Sequence, residues 1–294
     1  MKDTDVQFRK IAIFGAGLIG GSFALAMRRA HPGMEVVGFG RSMETLRLAK
    51  ELNIIDRMGE DLGREVGTSD LVLLATPVGK MGELMERIAP HLAGNTLVTD
   101  GGSTKGDVVS AAYENLGEKV SRFIPAHPIA GAELSGPEAA RADLYVGKKV
   151  VLTPLPENSG EDVLKVRKAW EACGAIVSEL TPKQHDEVFA AVSHLPHLLS
   201  FALVHDIAMR SERDLLLSFA ASGFRDFTRI AASSPEMWRD ICLANRDALL
   251  KEIRGYADEL YALYQALENN DAAKLENIFS IARDLRSNWN QNRP

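Results

Sequence analysis

Six residues, Gly15-Ala16-Gly17-Leu18-Ile19-Gly20, constrain this chain more than any other stretch. They follow an apolar run, Lys10–Phe14, without a spacer and open a second apolar run, Ser22 to Met27, with helical character. A GxGxxG pattern between strand and helix has three physical demands. The first glycine makes a tight turn, the second lets a pyrophosphate approach the backbone, and the third lets the helix pack closely on its strand. Free N–H groups at the helix N-terminus then face the anion. Gly15, Gly17 and Gly20 meet these demands, with Ala16, Leu18 and Ile19 between them, so the chain is expected to begin with a Rossmann-type dinucleotide-binding unit.

The following residues extend that reading. Short apolar runs at Glu35–Phe39, Leu71–Ala75, Leu97–Thr99, Phe123–Pro125, Lys149–Thr153 and Ala175–Glu179 alternate with longer amphipathic ones. The spacing predicts βαβ units around a mostly parallel, doubly wound sheet. From Thr181-Pro182 onward the strand pattern stops. Ile241, Leu249, Ile253, Tyr256, Leu260, Leu263 and Leu267 instead fall on one helical stripe, the last six spaced 4, 3, 4, 3 and 4. The fold class is therefore an α/β Rossmann domain over residues 1–181 followed by an all-α domain over 182–294. A stripe of that length, on a helix of about 30 residues, fits burial against a second subunit or an intramolecular bundle equally well.

Composition narrows the partners. The 294 residues carry a net charge of −6, which opposes a phosphate-tracking surface, so no nucleic acid is expected. No apolar run is seen that approaches the roughly 20 residues needed to cross a bilayer, and the acidic start Met1-Lys2-Asp3 does not read as an export signal. Two cysteines, Cys173 and Cys242, are too few for a disulfide framework and form no metal-binding pair. Both are expected to be buried, in a protein of the cytoplasm.

Cofactor choice is read at the end of the second strand. An NAD site places an acidic residue there against the ribose 2′-hydroxyl, but this chain has Gly38-Phe39-Gly40-Arg41-Ser42. Arg41 and Ser42 suit a 2′-phosphate, so NADP is expected as the preferred cofactor with NAD also possible; Arg41 reads equally as a solvated surface charge. Thr76 and Pro77, directly after the strand-like run Leu71–Ala75, are expected to line the nicotinamide side of the crevice.

Three polar clusters remain: Asp100-Gly101-Gly102-Ser103-Thr104-Lys105, His127-Pro128-Ile129-Ala130-Gly131-Ala132-Glu133 and Ser193-His194-Leu195-Pro196-His197. The first two follow predicted strands and should open onto the cofactor crevice. His194 and His197 share a helix face, but Pro196 is expected to kink that helix and no acid or cysteine completes a set of ligands, so no metal is expected.

With the Gly15–Gly20 fingerprint and the run Gly223-Phe224-Arg225-Asp226-Phe227-Thr228-Arg229-Ile230-Ala231, these clusters resemble the prephenate and arogenate dehydrogenases of tyrosine biosynthesis over almost the whole chain. The resemblance implies a Rossmann domain followed by a helical dimerisation domain, hence a homodimer. It also implies NAD(P)-dependent oxidative decarboxylation of prephenate or arogenate to 4-hydroxyphenylpyruvate or tyrosine. His127 is then the base for the ring hydroxyl, and Ser103 orients it. Arg229 anchors a substrate carboxylate, His197 contacts substrate with His194 in support, and Glu133 tunes the polar end of the pocket. Arg225 and Arg229, four apart, also fit bridges to Asp226 or a subunit partner. No regulatory or mutase extension is expected. A β-hydroxyacid dehydrogenase would instead place a proton-handling lysine in the helical domain, and a dinucleotide-binding redox sensor would not need His127, Ser103 and Arg229 together.

Overall fold

The computed structural model describes residues 7–131 and 135–291. Strands β1 (Lys10–Phe14), β2 (Glu35–Phe39), β3 (Arg57–Met58), β4 (Leu71–Leu74), β5 (Leu97–Asp100) and β6 (Phe123–Ile124) form one parallel sheet in the order β3-β2-β1-β4-β5-β6. Its two faces are sorted by residue parity. Ile11, Ile13, Leu71 and Leu73 join a core with Phe23 and Trp170, while Ala12, Phe14, Val72 and Leu74 join another with Met85 and Val98. Burial on both faces explains why these strands read as continuous apolar runs rather than alternating ones. The strand order reverses between β1 and β4, which leaves a crevice at their carboxyl ends.

After β6 the chain changes sheet. Pro125 cannot donate to a ladder, and β7 (Ala126–Pro128) pairs antiparallel with β8 (Lys149–Leu152), which runs parallel to β9 (Ile176–Glu179). His127 therefore lies within a strand, opposite Val151, and not in a loop after one. Neither this strand nor β3 was legible in the sequence, because Ala126–Pro128 and Arg57–Met58 form no apolar run of their own.

The helical part begins where the strand pattern ends. Thr181 Oγ1 accepts from the Gln184 amide, and Gln184 Oε1 accepts from the Thr181 amide, a reciprocal cap that starts the helix Pro182–Phe189. A π-helical turn, Ala190–His194, leads into the helix Leu195–Ala208. Pro196 has no N–H, and its ring crowds the carbonyl of Val192 four residues back; one widened turn relieves this, so the helix continues where a kink was expected. The continuous segment Pro182–Ala208 is consequently long and apolar enough to pass for a bilayer span, contrary to the sequence reading. It also carries the buried His185 and His194.

Compactness divides the chain at Met1–Arg246 and Asp247–Pro294, later than the end of the strand pattern near Thr181. The helices up to Ala244 stay with the first unit because they pack on its crevice: Pro235–Ala244 lies against the Val78–Lys80 turn, and Pro182–Phe189 against the Gly106–Leu116 helix. The second unit holds most of the helix Arg246–Glu268 and all of Ala272–Gln291. The predicted single stripe is thus broken at Asn245, and within it Leu260 and Leu267 are exposed.

Candidate active site

The cofactor end is built by three glycines. Gly15 has φ +99°, a conformation that L side chains rarely adopt, and its amide donates to the Phe39 carbonyl at 2.9 Å. A Cβ on Gly20 would collide with the Gly15 carbonyl oxygen, so the helix Leu18–Ala30 sits directly on β1. Gly17 differs in kind. It caps that helix without a side-chain bond, and a Cβ there would meet nothing nearer than Gly136 at 4.0 Å, so protein packing does not require its bareness. Room for an anion before the first-turn amides does, and no acidic residue stands in that turn to repel one. Thr76 Oγ1, beside Gly15, is buried and has no hydrogen-bond partner among the described residues. These features fit a dinucleotide pyrophosphate at Gly15–Gly20, with Thr76 and Pro77 on the adjoining wall.

At the end of β2, Arg41 is exposed and Ser42 Oγ accepts from the Thr45 amide at 3.1 Å, capping the helix Met43–Glu51. The cap uses an oxygen lone pair and leaves the hydroxyl proton available to an anion.

The chemical end is organised around Asp100. Its Oδ1 accepts from the Ala126 amide at 2.9 Å, and Oδ2 accepts from the Gly102 amide at 2.8 Å and from Lys105 Nζ at 2.5 Å, with both charged side chains fully buried. One carboxylate thus ties the loop carrying Ser103 to the start of β7. A Cβ on Gly101 would touch Ile19 on one side and Pro128 on the other, so this loop lies between the glycine fingerprint and the neighbour of His127.

His127 is held by partners that sequence reasoning missed. Its Nδ1 lies 2.8 Å from His185 Nε2, and His185 Nδ1 lies 2.8 Å from Asp186 Oδ1. Phe189 packs edge-on to the His127 ring, with centroids 4.8 Å apart. Burial, followed by the charges of His185, Lys105 and His194, pushes the His127 pKa well below the ordinary 6.5. Burial likewise lowers His185 despite its carboxylate partner. Asp186 is held below the usual carboxylate range: burial alone would raise it, but hydrogen bonds from His185 and from the amides of Lys105 and Gly106 outweigh that.

His194 and His197, paired in the sequence reading, part company across the π-turn. His194 is buried, its Nδ1 accepts from Asn245 Nδ2 at 3.1 Å, and burial lowers its pKa to about 4. The same Asn245 amide donates to the Asp186 carbonyl at 2.8 Å. His197 donates through Nδ1 to the Ser193 carbonyl and stacks on Trp238, centroids 3.7 Å apart. Its pKa falls through burial and through the charge of Arg229. Glu133 lies outside the described residues. The adjacent His185-Asp186 pair was the one sequence signal for the missed array, and its significance depends on β7 ending beside the helix Pro182–Phe189. Trp238, Asn245 and the buried Asp100–Lys105 pair carried no motif. Cys173 is buried, whereas Cys242 is only half-buried.

Comparison with known proteins gives two family matches that together span most of the chain. Residues 23–179 match the family described as prephenate dehydrogenase, nucleotide-binding domain, and residues 181–281 match prephenate dehydrogenase, dimerization domain. The chain is 37% identical over 289 residues to a prephenate dehydrogenase of Bacillus subtilis, covering 97% of this chain and 76% of that one. It is 34% identical to a cyclohexadienyl dehydrogenase of Zymomonas mobilis, covering 95% of both. Among solved structures, prephenate dehydrogenase from A. aeolicus, in complex with hydroxyphenyl propionate and NAD+, superposes with a TM-score of 0.87 at 36% identity, covering 97% of this chain and 99% of that one.

Proposed function

Because the chain belongs to the prephenate dehydrogenase family and is an oxidoreductase of that kind, we propose that it carries out NAD(P)-dependent oxidative decarboxylation of prephenate, with arogenate as a second substrate. The observation that carries the reading is the placement of His127, a neutral imidazole beside the Asp100–Lys105 loop that packs against the dinucleotide fingerprint.

In this reading His127 takes the proton of the substrate's ring hydroxyl, for which a neutral imidazole is required. Ser103, on the loop fixed by Asp100, orients that hydroxyl. A bound nicotinamide ring supplies the hydride acceptor. The hydride leaves the carbon that bears the hydroxyl, the bond to the ring carboxylate breaks, and its electron pair completes the aromatic ring as carbon dioxide departs. The proton on His127 can return to the phenolic oxygen. Arg229 offers two parallel donors to a substrate carboxylate. His197, which donates to the Ser193 carbonyl through Nδ1, presents Nε2 as an acceptor to a polar substrate group. His194, turned to Asn245, supports from behind, and Glu133 is proposed at the polar end of the pocket.

The reading includes NADP over NAD, supported by Arg41 and Ser42 at the position of the expected acid. It includes a homodimer, supported by the dimerization-domain match and by exposed apolar side chains such as Phe219, Leu260 and Leu285. It also includes a cytoplasmic setting, which the two free thiols suit. The test is to offer the purified protein prephenate and arogenate with NAD+ and with NADP+, following cofactor reduction and carbon dioxide release. Stoichiometric appearance of both products is expected, and reduction without carbon dioxide release would overturn the reaction class.

A further inference from the structure

The reaction above needs the proton-accepting nitrogen of His127 to face substrate, yet a neutral imidazole has two tautomers and only one leaves that nitrogen bare. The array behind the ring resolves the choice. A carboxylate only accepts hydrogen bonds. Asp186 Oδ1 lies 2.8 Å from His185 Nδ1, so His185 carries its proton there. Its Nε2 is then an acceptor, 2.8 Å from His127 Nδ1, so His127 is protonated on Nδ1 and bare on Nε2.

We propose that Asp186 and His185 are positioning residues that fix His127 in its proton-accepting tautomer, an inference that rests on His127 being the base. The carboxylate is fixed in turn. Asp186 Oδ1 also accepts from the Lys105 amide at 2.9 Å, Oδ2 accepts from the Gly106 amide at 2.7 Å, and the Asp186 carbonyl accepts from Asn245. Those two amides follow Ser103 on the crevice loop, so one side chain holds both the loop and, through His185, the base. His185 is fully buried and its ring packs against Phe189, centroids 4.5 Å apart, which denies it an alternative partner. When His127 takes the substrate proton on Nε2, its Nδ1 proton can shift along the hydrogen bond to His185 Nε2. The positive charge then spreads toward Asp186 without any atom moving far.

The array makes an asymmetric prediction. In Asp186→Asn one accepting oxygen remains for three donors, His185 Nδ1 and the Lys105 and Gly106 amides; where the NH2 group turns to His185 Nδ1, giving up the Lys105 amide, every hydrogen bond behind His127 reverses. The His127 proton moves to Nε2, where it blocks the base. Turnover should fall about 10²–10⁴-fold with KM for both substrates changed less than about threefold, the pattern of a lost or mis-set base. His185→Phe keeps ring shape and leaves the amide bonds of Asp186 intact, but removes the acceptor. It should lower kcat by at least about tenfold and leave dinucleotide affinity unchanged.

The deciding measurement needs no variant: 15N NMR of the imidazoles in the wild-type protein should give protonated Nδ1 and bare Nε2 for His127. The opposite tautomer overturns the proposal outright, whatever the variants do. His127→Asn separates this proposal from the reading it rests on. If that variant keeps turnover, His127 is not the base. If it is inactive while His185→Phe and Asp186→Asn both turn over at the wild-type rate, the base stands and the positioning pair falls.

Discussion

Lys105 Nζ lies 2.5 Å from Asp100 Oδ2, and neither side chain has any exposed surface. A buried pair of this kind contributes little beyond what apolar packing would, but removing one partner leaves an uncompensated charge. Here Asp100 also receives the amides of Ala126 and Gly102, so the pair fixes the loop that carries Ser103 relative to β7.

Lys105→Met is therefore expected to destabilise the protein by about 3–5 kcal/mol, whereas the double variant Asp100→Asn/Lys105→Met should lose clearly less than Asp100→Asn and Lys105→Met summed. Urea unfolding of the three variants measures this. Additive losses would show that the two groups do not act as a pair.

His127→Asn should lower kcat by about 10²–10⁴-fold while dinucleotide binding stays intact. In the wild type, burial and the neighbouring charges hold the imidazole pKa well below 6.5, so the acid limb of kcat/KM belongs below pH 6.5. A limb centred near or above the free-imidazole value would show that another group is titrating.

His194 gives a stability signature of defined sign. Its folded pKa of about 4 lies below the unfolded value near 6.5, so the unfolded chain binds the proton more readily. Its stabilising contribution is complete above pH 6.5 and is lost as pH falls toward 4, by up to ~3 kcal/mol. His194→Gln should flatten that slope in unfolding experiments between the two pH values, and an unchanged slope would assign it to other groups.

Arg41→Ala tests the cofactor. Loss of a charge-assisted hydrogen bond to a 2′-phosphate should weaken NADP+ binding by about tenfold or more while NAD+ binding shifts less than about threefold, as read by fluorescence titration. Equal effects on both would make Arg41 a solvated surface charge.

The sequence by itself determined most of the parallel sheet and the cofactor cradle. Both are local: glycines at Gly15, Gly17 and Gly20 answer to turn geometry and close approach within a few residues, and strands buried on both faces announce themselves as apolar runs. His127 was reached through motif resemblance, since a lone histidine after a strand has no period to read. The tertiary structure alone decided what stands behind it. Asp100 meets Ala126, Asp186 meets Lys105 and His185 meets His127 across separations of 26, 81 and 58 residues. Hydrogen bonds between groups so far apart in sequence depend on how strands end and helices pack, and no composition or spacing along the chain encodes them.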